Sequence, residues 1–482
     1  MNLGEYATFD ALGLAELVAK KQVSPKELAK TALAAKAKVD PMLKSIVEVY
    51  PDRIDDLDET SLGNGPFRGV PFLIKDVFGH EKGRRIEFGS RLCAGMTVET
   101  STYFFDLLKA SGLNILGRSA APEYSMSATT ESVMFGNTSN PWKHGYSAGG
   151  SSGGAQAAVV AGIVPLAHGS DIGGSIRIPA SWCGGVGLKP SRMRVSSGPD
   201  VDEGGWGYSM NLVQAKTVRD VAAMLDCVSL PQPGDPFLIP KPDEAYASLA
   251  RKAPAALRIG IVLDELVGVK VDPEVVAAVE ATGRVLAGLG HAVEVAKVDM
   301  GGPETLVATT DLFFFGFDHR LDGYARRSGH LPGPATLEPV IHAVYRAAQD
   351  ITPARFIAAN AAANRARRKL GAFYSKYDVW LSPTTARVAE PWGRYHLSKP
   401  GVDWNNLIEA MFRIPCQYTI PHNIMGTPAM SLPLAMHSSG VPIGVQIAAR
   451  PAADHLVLQL ATLLEAAMPW RGRMPALHVS TA

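Results

Sequence analysis

The chain has 482 residues, 46% of them hydrophobic and 19% charged, which fits either two or three domains or one large α/β unit with a deep core. With 47 Lys plus Arg against 46 Asp plus Glu, the net charge of +1 excludes the basic excess by which a nucleic-acid binder is recognised. Cys93, Cys183, Cys227 and Cys416 are too scattered for a zinc knuckle or a CxxC redox pair and read as four free thiols. In chain order, Leu12, Leu14, Leu17 and Val18 form an apolar helical stripe. Ser24-Pro25 with Glu27 is a capping box that opens a second helix. The run Gly69 to Asp76 has strand length and ends abruptly on a lysine, so Lys75 is expected at a strand end. Thr102 to Ala110 reads as a helix, Asn114 to Gly117 as a strand, and Asn137 to Gly154 as a long loop. A small-residue helix, Ala155 to Gly162, follows; after Val164 to Ala167 comes a second glycine-rich loop, Gly169 to Ser175. Strands are expected at Leu257 to Leu263, His291 to Val298 and Val379 to Leu381, and helices at Pro273 to Leu289, Arg355 to Tyr374 and Asp454 to Ala467. This βαβ-like order argues for an α/β layered fold. The opening residues lack a basic start followed by an apolar core, and nowhere do about 18 apolar residues run together, so a cytoplasmic protein without a membrane span is expected.

Chemistry concentrates in two loops, Gly149 to Gly154 (GGSSGG) and Asp171 to Arg177 (DIGGSIR), each setting serine beside paired glycines. Glycine admits positive φ and close approach to the main chain, so successive N–H groups can converge on one anionic oxygen. Tight turns alone would explain either loop, and phosphate binding would too, but neither phosphate-loop pattern is present. A serine nucleophile needs a base, and the nearby His144 and His168 sit in no recognisable triad pattern. A lysine can serve when burial strips it of its proton, and Lys75 follows an apolar strand.

The stretch Gly149 to Pro190, with GVPFLIKD around Lys75, NTSNPW at Asn137 to Trp142, and NIMGTPAMSLPL and GVPIGVQI near the C-terminus, resembles the amidase signature family through nearly the whole chain. The resemblance implies α/β/α layers around a large mixed twisted sheet and a catalytic set of Lys75, Ser151 (preceded by a cis peptide bond) and Ser175. It implies N–H groups of Ile172, Gly173, Gly174 and Ser175 facing an oxyanion, support from Ser152, Asp171 and Arg177, and neither cofactor nor metal. Ser125 and Met126 match a stretch lining the acyl site. Trp206, in a glycine-rich loop, is the aromatic expected to wall or cover the pocket; Tyr208 is a further candidate, and Phe313 to Phe315 read as packing.

The expected organisation is one amidase-signature domain over 1–482. Within it lie N-terminal helices at about 8–40, a catalytic core at about 65–230, a variable pocket-lining region at about 230–400 and a C-terminal core segment at about 415–470. The expected substrate is a small, largely apolar amide, aryl amide or carbamate, with esters also in range and no nucleic acid or membrane as partner. A homodimer is compatible with the resemblance. The rival reading is the glutaminase-type subunit of an ATP-dependent tRNA amidotransferase, set apart by its dependence on partner chains and ATP.

Overall fold

The computed structural model describes residues 1–301 and 303–481, with the side chains at 303, 304, 306 and 307 outside the description. Eleven strands form one mixed sheet. They are β1 (Ile46–Val49), β2 (Pro71–Lys75), β3 (Asn114–Ser119), β4 (Leu166–Asp171), β5 (Val186–Lys189), β6 (Met210–Ala215), β7 (Arg258–Ile261), β8 (Ala292–Val295), β9 (Val379–Pro383), β10 (Ala429–Met436) and β11 (Pro442–Ala449). Across the sheet they run β1-β3-β2-β4-β6-β5-β10-β11-β9-β7-β8. Strands β3, β2 and β4 are mutually parallel, as are β9, β7 and β8, while β6, β5, β10 and β11 join the two groups through antiparallel pairs. The central strands β2, β4, β5, β6 and β11 are buried along their whole length, which explains why they read as apolar or small-residue runs rather than alternating ones. Helices surround the sheet, as the α/β expectation requires.

The expected capping box is formed. Ser24 Oγ accepts from Glu27 N at 3.2 Å and Glu27 Oε2 accepts from Ser24 N at 2.8 Å, starting a helix over Pro25–Leu43. Its buried positions Leu28, Ala32, Ala35, Val39 and Leu43 recur at helical spacing. The helix Gly153–Val160 is buried on every side, and its glycines permit that: a Cβ on Gly154 would lie 2.6 Å from the backbone of Ala120. One boundary differs from the sequence expectation. Gly169, Ser170 and Asp171, expected in a loop, are the last residues of β4, where they pair with Leu212, Asn211 and Met210 of β6. The glycine there signals close packing within a strand rather than a turn. Among the described residues no helix is long and apolar enough to cross a membrane.

Candidate active site

Strand ends bring the first groups together. Parallel pairing sets β2 beside β4, so Lys75 at the end of β2 meets residues of β4 that share one face. His168 and Ser170, two apart, both reach it. Lys75 N donates to His168 Nδ1 at 3.2 Å, and Lys75 Nζ lies 2.9 Å from Ser170 Oγ and 2.7 Å from Ser151 Oγ. Because His168 Nδ1 accepts, the ring proton sits on Nε2, which donates to Asn211 Oδ1 at 3.2 Å. Burial, then the neighbouring Lys75, push the imidazole down to about 3, so His168 is a neutral brace for the lysine backbone. His144 lies against Trp392 and Ser139, away from this cluster.

Lys75 itself is fully buried. Burial lowers its pKa well below the usual lysine value, outweighing the opposite pull of Asp171. The following residue anchors the chain: Asp76 accepts from Glu87 N and Gly89 N, both at 2.9 Å, and pairs with Arg118 of β3. Arg118 also binds Glu48 and Glu87, tying three acidic groups around one guanidinium.

Ser151 and Ser152 come from the GGSSGG loop, whose Gly150–Ser151 peptide bond is cis. Gly150 packs on the backbone of Thr129, where a Cβ would stand 2.5 Å from the carbonyl oxygen, so only glycine fits. Ser152 Oγ lies 3.3 Å from both Ser170 N and Ser170 O, and Ser152 N donates to Ser175 O at 3.2 Å, so Ser152 ties the two loops together.

The second loop is organised by Asp171. Arg177 grips its carboxylate with two bonds, Nε to Oδ2 at 2.9 Å and Nη2 to Oδ1 at 2.8 Å, and both residues are fully buried. Burial alone would raise the Asp171 carboxyl; Arg177 and Asn423 override it and hold it at about 2. The same carboxylate accepts from Gly174 N at 2.9 Å and Ile176 N at 3.2 Å. The remaining donors of Arg177 reach the C-terminal part of the chain, at Thr419 O, Gln446 Oε1 and Asn423 Oδ1. Gly174 N–H, expected to face an oxyanion, is therefore engaged with Asp171, whereas the N–H groups of Ile172, Gly173 and Ser175 make no hydrogen bond among the described residues. Ser170, Asn423 and Gln446 were not singled out in the sequence. Ser170 could have been found by extending β4 and reading its face in steps of two.

Ser175 opens onto a cavity also lined by Gly150, Ile172 and Gly173, with Phe78, Tyr124, Met126, Ile178, Phe314, Phe317 and Ile420 as apolar wall. Ser125 is also among the lining residues. The aromatic assignments reverse. Phe313 and Phe314, read as packing, line the cavity; Trp206 does not. The residue is 40% exposed, and its ring lies 5.7 Å from the Phe315 ring and 4.8 Å from that of Phe356. Positive φ at Gly205, Trp206 and Gly207 turns the loop so that Gly205, not the indole, abuts Ile172, where a Cβ would come within 2.4 Å. Tyr208 meets Phe313 edge to face at 5.4 Å, and the Arg192 guanidinium lies over its ring at 4.9 Å.

Similar proteins are numerous. The Amidase family profile matches residues 27–458. The chain is 35% identical to 6-aminohexanoate-cyclic-dimer hydrolase of Paenarthrobacter ureafaciens, covering 97% of this chain and 96% of that one. It is 31% identical to the acylamidase of Rhodococcus erythropolis over 97% of each. A solved structure of 6-aminohexanoate cyclic dimer hydrolase with its substrate superposes with a TM-score of 0.92 at 33% identity, covering 98% of this chain and 99% of that one. Fold, family profile and full-length likeness agree: this chain belongs to the amidase family and is a hydrolase of carbon–nitrogen bonds other than peptide bonds.

Proposed function

We propose that the protein hydrolyses a small, largely apolar amide through an acyl-enzyme on Ser175, with Ser151 and neutral Lys75 as the proton relay. The observation that carries this reading is the buried amine of Lys75, 2.7 Å from Ser151 Oγ. A deprotonated amine has two N–H groups and one lone pair. Ser170 Oγ can take an N–H while the lone pair accepts the Ser151 proton. As Ser175 Oγ attacks the carbonyl carbon, its proton passes to Ser151 and that of Ser151 to Lys75. The oxyanion is met by N–H groups of Ile172, Gly173 and Ser175, each such donor contributing on the order of 3 kcal/mol. Return of the proton through Ser151 releases the amine, and water repeats the sequence on the acyl-enzyme. Asp171 and Arg177 act by holding the loop, with Gly174 N–H part of that brace.

Apolar walls and the 6-aminohexanoate and acylamidase relatives support an uncharged amide or aryl amide; carbamates and esters are the bond types to rank beside it. The relatives at 35% identity are named as hydrolases, which disfavours the amidotransferase subunit. No partner chain or ATP is then required. A fluorophosphonate probe is expected to label the wild-type protein once, on the peptide carrying Ser175, and to leave Ser175→Ala unlabelled. Alongside, a p-nitroanilide, a p-nitrophenyl ester and an aryl carbamate, without ATP or metal, rank the bond types. Equal labelling of the two proteins would remove Ser175 as nucleophile.

A further inference from the structure

Most polar side chains around the cavity already have partners, but among the described residues two buried atoms do not: Ser125 Oγ and Gln417 Oε1. A hydroxyl can give or accept, so Ser125 sets no demand on a ligand. Gln417 is more restrictive. The residue is 3% exposed, and its Nε2 donates to Val269 O at 3.1 Å. Turning the amide over would set two oxygens against each other, so the bond to Val269 fixes which end is which. Oε1 is left without a donor among the described residues, on a side chain that lines the cavity two residues from Thr419, whose hydroxyl binds the Gly173 carbonyl of the nucleophile loop at 2.5 Å.

We propose that Gln417 is a specificity-determining residue whose Oε1 accepts an N–H of the substrate at a point away from the scissile bond. This rests on the amidase reading above and narrows it to substrates that are apolar along most of their length and carry one further N–H, as a second amide or carbamate does. A site built around such an acceptor discriminates against an analogue lacking the donor, because the oxygen then stays unpaired in an apolar wall.

Calorimetric titration of full-length Ser175→Ala protein tests this without requiring turnover. The ligands are phenyl ω-acetamidoalkanoates and ω-acetamidoalkyl benzoates with three to six methylenes, which place a single N–H on the acyl or the alcohol side of an ester. Each is paired with its N-methyl counterpart. In Ser175→Ala, N-methylation is expected to weaken the better series at least tenfold, about 1.4 kcal/mol; in Ser175→Ala with Gln417→Leu, less than twofold. Gln417→Met repeats the comparison should the leucine variant unfold. An equal penalty in both backgrounds, no penalty in either, or no binding of any ligand overturns the proposal. Failure of wild-type protein to turn over any amide would sink the amidase mechanism and leave this binding comparison standing.

Discussion

Replacing Lys75 with alanine is expected to lower kcat/KM by about 10,000-fold, the upper range for a positioned base and in keeping with residues that act as one unit. Lys75→Arg is expected to fall equally far. Arginine is permanently protonated and cannot act as a base, so the pair separates a base from a mere cation. The pH profile carries the same point. Burial lowers the lysine pKa, and the neutral form is the active one, so wild-type kcat/KM rises as pH climbs through that lowered value and then levels. Stability moves with it: below the unfolded value of 10.5 the unfolded chain holds the proton more tightly, so the cost of burying the neutral amine shrinks as pH rises toward 10.5. Lys75→Ala should accordingly show a shallower dependence of Tm on pH across that window. Activity of Lys75→Arg near the wild-type level would exclude the relay.

Asp171→Ala is expected to destabilise the fold by roughly 3–5 kcal/mol, the range for stranding one member of a buried ion pair. Arg177 would stay buried with two of its bonds unmade, and the N–H groups of Gly174 and Ile176 would lose their acceptor. Urea unfolding at neutral pH measures the loss. With its carboxyl held at about 2 against 3.8 unfolded, the stabilisation from Asp171 is fully present above 3.8 and disappears as pH falls through about 2. A variant as stable as wild type would mean that the pair organises nothing.

Much of this was legible in the sequence, for identifiable reasons. The capping box at Ser24, the buried strand ending on Lys75 and the glycine-rich serine loops are local patterns, and each is present at or near its expected position. Their convergence is not local. Nothing along the chain pairs Arg177 with Asn423, 246 residues away, or with Gln446, 269 away; only the placement of β11 and the segment before β10 does so. The glycine in Gly169-Ser170-Asp171 suggested a loop and hid Ser170, because strand pairing with β6 outweighs local propensity. Trp206 looked like a pocket wall from its glycine neighbours, yet the same glycines turn it outward onto Phe315 and Phe356. Whether Phe313 faces solvent, core or cavity depends on which helix packs beside it, which the sequence around it does not state.

The central claim is an acyl-enzyme on Ser175, and the most direct measurement is rapid acid quench of wild-type protein with a p-nitrophenyl ester, followed by intact-mass and peptide mass analysis. A mass increase equal to one acyl group, mapped to Ser175 and absent from Ser175→Ala, is the predicted result. Rapid p-nitrophenol release with no acyl adduct, or an adduct on another residue, would contradict it.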